Sequence, residues 1–330
     1  MLSDDVKASF DGAGDERLRV LLRSLAGHLH AFVEEVGLTE REWEQAIGFL
    51  TATGQKCDDK RQEFVLLSDV LGVSMAVESL NHPTGGTATE STVLGPFHVV
   101  ESPPRALGDD IAAVRHGGEP CLVTGTVRDS TGQPLAGATV DVWQADNEGF
   151  YDVQRPGDVP EGNLRGLFTT AADGTFWFRT VVPRYYPIPT DGPVGTLLAA
   201  TGRHPFRPAH IHFIVAAAGH PPVTTHLFVA DSPYLDSDAV FGVKPSLVRE
   251  FPLVDDPEQA AAHGLPNPFR TVGFEVTLRW QFPSQSSEYF HFQSRPAAPR
   301  GALPRQPRRT ASAATWPEGP GAVARGAEHG

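Results

Sequence analysis

Residues Ala209–Ala230 read AHIHFIVAAAGHPPVTTHLFVA. Val, Thr, Ile and Phe run on either side of a Gly-His-Pro-Pro cluster, the composition of two β-strands joined by a turn over Gly219 to Pro222. Side chains alternate faces along a strand, so His210 and His212 share one. Folded as a hairpin, the stretch also brings His226 close to both, on a face that the register decides.

Similar segments lie on both sides of it. CLVTGTVRD, ATVDVWQA, GTFWFRTVV and RTVGFEVTLRW are short and rich in Val, Thr, Phe and Trp, and turn clusters such as STGQPLAG and AADG separate them. Many short strands with regular punctuation predict a β-sandwich. The segment GTVRDSTGQPLAGATVDVW, Gly125–Trp143, resembles a transthyretin-like module, a pattern shared by β-sandwich modules that only bind.

The first eighty or so residues have a different period. Leu18, Leu21, Leu22, Leu25, Leu29, Phe32, Val33 and Val36 recur at three- and four-residue steps and form one helical stripe that must be covered. A second helix opens at LTEREW, where Thr39 and Glu42 have capping-box spacing, and is expected to turn Trp43, Ile47 and Leu50 inward. A third apolar run spans Glu63 to Leu80 and is stopped by Pro83, Gly85 and Gly86. The expected class is therefore α+β, with a helical domain over 1–90 and a β-sandwich domain over 91–294. Residues 295–330 are Pro, Ala, Gly and Arg without apolar periodicity, a disordered tail by composition.

A net charge of -13 disfavours nucleic acid and anionic membrane as partners. No apolar run reaches the length of a membrane span, and the start MLSDDVKASFDG lacks the pattern of a secretion signal, so the expected compartment is the cytoplasm. Two cysteines, Cys57 and Cys121, are too few for a disulfide framework and read as buried free thiols.

A His-x-His pair on one strand face suits zinc, copper or iron. A cupin-type site would want a glutamate where Ala216, Ala217 and Ala218 stand. A two-histidine, one-carboxylate site would draw on Asp231, Asp236 or Asp238. Tyrosine is the other choice of ligand, and Tyr151, Tyr185 and Tyr186 sit in NEGFYDVQ and VPRYYPIPTDGP, which read as loops ahead of the histidines. A trivalent ion would deprotonate a phenol and make it a hard anionic ligand. Two phenolates with two imidazoles suit ferric iron.

Taken in order, PLAGATVDVWQADNEGFYD, LRGLFTTAADGTFWFRTVVPRYYPIPTDGP and GRHPFRPAHIHF resemble the intradiol ring-cleavage dioxygenases, and with the helical region and ESTVLGPF the likeness covers roughly residues 15 to 290. It implies Fe(3+) held by Tyr151, Tyr186, His210 and His212, with Tyr186 the phenol that leaves the metal and Tyr185 its neighbour outside the coordination sphere. Arg207 matches the family arginine that stabilises charge on the substrate. LLSDVLGVSMAVESLNH, YPIPTDGPVG and YLDSDAVFGVK are most similar to the hydroxyquinol branch, where Asp69 stands in place of the proline of catechol-type relatives. That implies a small aromatic triol and O2 as substrates, with a catechol or chlorocatechol as the alternative diol. Leu66, Asp69, Val93, Leu94, Gly95, Pro96 and Phe97 match regions that shape the family's ring pocket. His226 departs from the catechol-type glutamine and reads as a polar group beside the metal rather than a ligand. The resemblance further implies a homodimer formed through the N-terminal helices and a phospholipid at that interface. A transthyretin-like module that only binds is the remaining alternative, and it leaves the phenols and the histidine pair without a purpose.

Overall fold

A computed structural model describes residues 2–58, 61–82, 86–98 and 102–280 of the chain. The tail expected over 295–330, and the last part of the β-domain expected over 281–294, lie outside the described residues.

The helical region holds α1 (Leu2–Ala8), α2 (Glu16–Val36), α3 (Glu40–Lys56), α4 (Glu63–Val70) and α5 (Val73–Asn81). The capping box expected at LTEREW is present: the Thr39 hydroxyl accepts from the Glu42 amide at 3.3 Å and Glu42 Oε2 accepts from the Thr39 amide at 2.9 Å. The run Glu63 to Leu80, expected as one helix, is two. Gly72 between them has φ +71°, a left-handed conformation that a continuing helix excludes. α4 buries Leu66, Leu67 and Val70 against Val194 and Leu198 of α6 (Pro193–Ala200).

The apolar stripe of α2 differs from expectation. Leu25 and Leu29 are each 55% exposed, and Trp43, Ile47 and Leu50 of α3, expected inward, are exposed as well. The seven-residue α1 spans about 10 Å against about 31 Å for α2, too short to cover the stripe.

The strands are β1 (Pro120–Asp129), β2 (Thr139–Gln144), β3 (Arg165–Thr169), β4 (Thr175–Val181), β5 (Tyr186–Pro187), β6 (Phe206–Arg207), β7 (His210–Ala217), β8 (His220–Val229), β9 (Val248–Arg249), β10 (Leu253–Val254) and β11 (Phe269–Leu278); a short α7 (Pro257–Ala262) precedes the last. One sheet has the order β10-β11-β1-β4, the other β3-β2-β7-β8-β9, and β5 pairs with β6 apart from both. The shared core takes Val123, Phe176, Phe178 and Phe274 from the first sheet and Val140, Val142, Ile211 and Phe213 from the second. A fully buried phenylalanine such as Phe213 contributes about 1.5–3 kcal/mol relative to its exposed state.

Alternation then sends Trp143, His210 and His212 to the opposite face of the second sheet. The hairpin turns earlier than its composition suggests, at Ala218 and Gly219, with Ala217 opposite His220 and an irregularity between Val215 and Ala217. Gly219, with φ +79°, supplies the conformation the tight turn needs. This register places His226 directly across from His212.

Candidate metal centre

Three imidazoles come from one hairpin. Their ring centroids are 4.6 Å apart for His210 and His212, 4.2 Å for His212 and His226, and 4.7 Å for His210 and His226. One nitrogen from each ring lies within 4.8 Å of the other two, and none of the three residues is more than 1% exposed. His210 Nδ1 lies 2.6 Å from the Pro208 carbonyl, which can only accept. Its proton is therefore on Nδ1, and Nε2 presents a lone pair. That Nε2 is 3.0 Å from His212 Nε2, which is in turn 3.0 Å from Tyr151 Oη.

Tyr151 reaches this point through a fixed loop. Asp146 Oδ1 accepts from the amides of Glu148 and Phe150, and Gly149, with φ +87°, passes so close to Tyr185 that an added Cβ would sit 2.9 Å from its carbonyl oxygen. Past the tyrosine, Asp152 receives Arg165 Nε and Nη2 at 2.7 to 3.0 Å, and Arg165 Nη2 also donates to the Phe97 carbonyl at 3.0 Å. One buried guanidinium thus ties the Tyr151 loop to the loop Val93 to Phe97.

Tyr186, read as a loop residue from sequence, opens β5 and pairs with Arg207 of β6. Its ring stands edge-on to Tyr151 with centroids 5.3 Å apart, and Phe97 stacks on Tyr151 at 4.4 Å. Tyr185 points elsewhere, packing on Phe206 and Tyr234. Among the described residues Tyr186 Oη makes no well-formed hydrogen bond.

Arg207 is held by Asp238, Nε to Oδ1 at 3.1 Å and Nη2 to Oδ2 at 3.2 Å, and aims Nη1 at His210 Nε2 from 3.4 Å. Asp238 is therefore engaged by arginine and by the Gly242 amide, while Asp231 and Asp236 are exposed, so the carboxylate-ligand alternative finds no partner at the histidines.

Burial pushes both phenols above their usual pKa, helped at Tyr151 by the neighbouring Tyr186 and opposed at Tyr186 by Arg207. It holds all three imidazoles well below theirs, with Arg207 adding to the effect at each, His226 and His210 at His212, and His210 at His226. Imidazole nitrogens 3.0 Å apart repel unless a proton or a cation lies between them. The spacing suits adjacent ligands on one ion with bonds of about 2.1 Å. A second buried phenol, Tyr186, edge-on to Tyr151, completes a set of oxygen and nitrogen donors that fits iron.

The ring-pocket residues gather on the same side. Leu66 and Val93 pack with Ile188 and Val240 in one cluster, Asp69 is 4% exposed on the same turn of α4, and Phe97 covers both tyrosines. Gly95, with φ +78°, runs over His212, where an added Cβ would be 3.1 Å from Cε1. Leu94 is 44% exposed, and Pro96 is half-buried. Desolvation raises the Asp69 carboxyl, opposed by the Ser74 hydroxyl and by the charge of Arg207.

Sequence reasoning passed over four residues. Trp143 stacks on His212 at 4.6 Å and 10°, and its alternation with Val140 and Val142 in TVDVWQ was a legible signal. The Arg165 to Asp152 pair and the hydrogen bond of Thr92 to His226 join residues far apart in the chain, and no local pattern announces them.

The centre has relatives. Residues 103–279 match the family described as Dioxygenase, and residues 15–89 that described as Catechol dioxygenase N terminus. A hydroxyquinol 1,2-dioxygenase of Rhizobium sp. is 51% identical over 80% of this chain and 90% of its own length. A 6-chlorohydroxyquinol 1,2-dioxygenase of Cupriavidus pinatubonensis is 52% identical over 76% of this chain and 90% of its own. The crystal structure of a hydroxyquinol 1,2-dioxygenase from Pseudomonas putida superposes with a TM-score of 0.78 at 48% identity, covering 85% of this chain and 98% of that one. The chain belongs to the intradiol ring-cleavage dioxygenase family.

Proposed function

We propose that the chain cleaves hydroxyquinol with dioxygen between its two adjacent hydroxyls, giving 3-hydroxy-cis,cis-muconate and, by tautomerisation, maleylacetate. Tyr151, Tyr186, His210 and His212 would hold one Fe(3+). The observation that carries this is the convergence of the Tyr151 phenol and two imidazole nitrogens at 3.0 Å, with the buried Tyr186 ring edge-on to Tyr151. The ion held there would supply Lewis acidity, lowering the electron density of a bound diol and activating the ring toward dioxygen.

The remaining work falls to side chains. Tyr186 Oη, as the phenolate that a bound ion would make it, would accept a proton from an incoming hydroxyl, while Tyr151, stacked beneath Phe97, stays in place. Arg207, fixed by Asp238 and charged at every working pH, stabilises negative charge that develops on the ring. Asp69 accepts a hydrogen bond from the third hydroxyl, with Leu66, Val93, Leu94, Gly95, Pro96 and Phe97 shaping the walls. Catechol lacks that hydroxyl and would leave the buried Asp69 short of one hydrogen bond beyond that of Ser74.

We read the two-sheet body as transthyretin-like and the chain as a helical domain over 1–90, a catalytic domain over 91–294 and a tail. The exposed apolar stripe of α2, with Trp43 and Ile47 of α3, supports a homodimer through these helices and a phospholipid at their interface. No helix among the described residues is long and apolar enough to cross a membrane. The free thiols Cys57 and Cys121 fit a reducing compartment, the cytoplasm.

The test is colour with iron content. Purified protein supplied with iron should hold about one ion per chain and show a visible tyrosinate-to-iron absorption; colourless, iron-free protein would rule the ligand set out.

A further inference from the structure

We propose that Thr92 holds His226 in the tautomer with its proton on Nε2, so that His226 donates a hydrogen bond to an anionic oxygen of the bound aromatic diol and is not a third imidazole ligand. This rests on the metal site proposed above, and it decides between two roles for a histidine that geometry alone would admit as a ligand.

Thr92 Oγ1 and His226 Nδ1 are hydrogen-bonded, in residues 3% and 0% exposed. The threonine is fixed in place. Its amide donates to the Thr224 carbonyl at 2.8 Å, and the Thr225 hydroxyl donates to the Glu90 carbonyl at 2.7 Å. Lys244 Nζ donates to the Ser91 carbonyl at 2.6 Å, and the Ser91 hydroxyl bonds to Glu78. Among the described residues the Thr92 hydroxyl pairs with no other atom.

A neutral imidazole has one donor nitrogen and one acceptor. Were Nδ1 the donor, the buried hydroxyl proton of Thr92 would have nowhere to go, and such a group is costly. The hydroxyl therefore donates to Nδ1, and the proton of the ring sits on Nε2. This Nε2 has no partner among the described residues. A protonated nitrogen cannot coordinate a metal, but it can donate to an oxygen that has given up its proton to a base.

His210 shows the opposite case on the same face. Its Nδ1 meets the Pro208 carbonyl, which only accepts, so the proton stays on Nδ1 and Nε2 is free to coordinate. Two neighbouring histidines thus take opposite tautomers according to whether the group at Nδ1 gives or receives a proton.

The experiment uses the iron-loaded protein with 4-nitrocatechol as an anaerobic probe whose binding is read from its absorption. Thr92→Val and His226→Leu should each keep the iron content and the visible absorption of the unliganded protein, yet bind the probe about ten-fold or more weaker. Thr92→Ser keeps the hydroxyl and His226→Gln keeps an N–H donor, so both should stay within about three-fold of the parent. Iron lost from His226→Leu would make the residue a ligand and overturn the assignment. Unchanged probe binding in Thr92→Val would overturn it as well. Failure of the underlying metal site appears separately, in the parent protein, as an absence of iron, and removes both readings.

Discussion

Arg207 and Asp238 form a two-armed ion pair in which both side chains are 2% exposed, and the third arm of the arginine points at His210. Removing one partner of such a pair strands a charge in low dielectric. Asp238→Ala is expected to lose about 3–5 kcal/mol of stability. Turnover should fall together with it, because the guanidinium is no longer aimed. Urea denaturation beside steady-state oxygen uptake measures both, and a variant as stable as the parent would remove the anchoring role.

Asp69 is expected to trade stability for selectivity. Burial raises its carboxyl, so the folded chain binds the proton more tightly than the unfolded chain does. Ionising it therefore costs stability as pH climbs past the ordinary carboxylate range. Asp69→Asn should be the more stable protein at neutral pH, with the gain disappearing in acid. The same change should lower the preference for hydroxyquinol over catechol about ten-fold or more in kcat/KM. An unchanged ratio would place the third hydroxyl elsewhere.

Gly95 has φ +78° above the His212 ring. Gly95→Ala imposes a left-handed cost of about 1–2 kcal/mol and pushes a methyl toward Cε1. A melting temperature lowered by about 2–8 °C, with the visible absorption shifted, is the expected result. A normal melting point with a normal spectrum would mean that the loop relaxes away from the metal site.

Asp191 links Arg61 and Lys56, and those two cations lower its carboxyl to about 2. Its contribution is present above the usual carboxylate pKa and is lost as pH falls through about 2. The side chain is 65% exposed, so the effect is below about 1 kcal/mol. Asp191→Asn should flatten the acid limb of a stability profile between pH 4 and 2 and leave neutral stability about 1 kcal/mol or less lower.

Much of this was legible in the chain because alternation is local. The same-face pair His210 and His212 follows from period two alone, and each of the six segments read as strands contains one. Where the structure departs from that reading, the cause is long-range or lies at single residues. Gly72 splits one apolar run into two helices, and a turn at Ala218 and Gly219 sets the register that brings His226 opposite His212. The residues that position the site, Arg165, Asp238 and Thr92, act through partners 13 to 134 positions away, which no periodicity records. The exposed stripe of α2 was visible as a stripe, but a pattern says only that a face wants cover and is silent on what supplies it.

The central claim is tested most directly by product analysis of iron-loaded protein with hydroxyquinol and, separately, catechol under oxygen. The expected result is one O2 consumed per hydroxyquinol and a ring opened between the two adjacent hydroxyls, with kcat/KM for hydroxyquinol about ten-fold or more above that for catechol. A product opened outside the diol, no oxygen uptake, or a clear preference for catechol would contradict it.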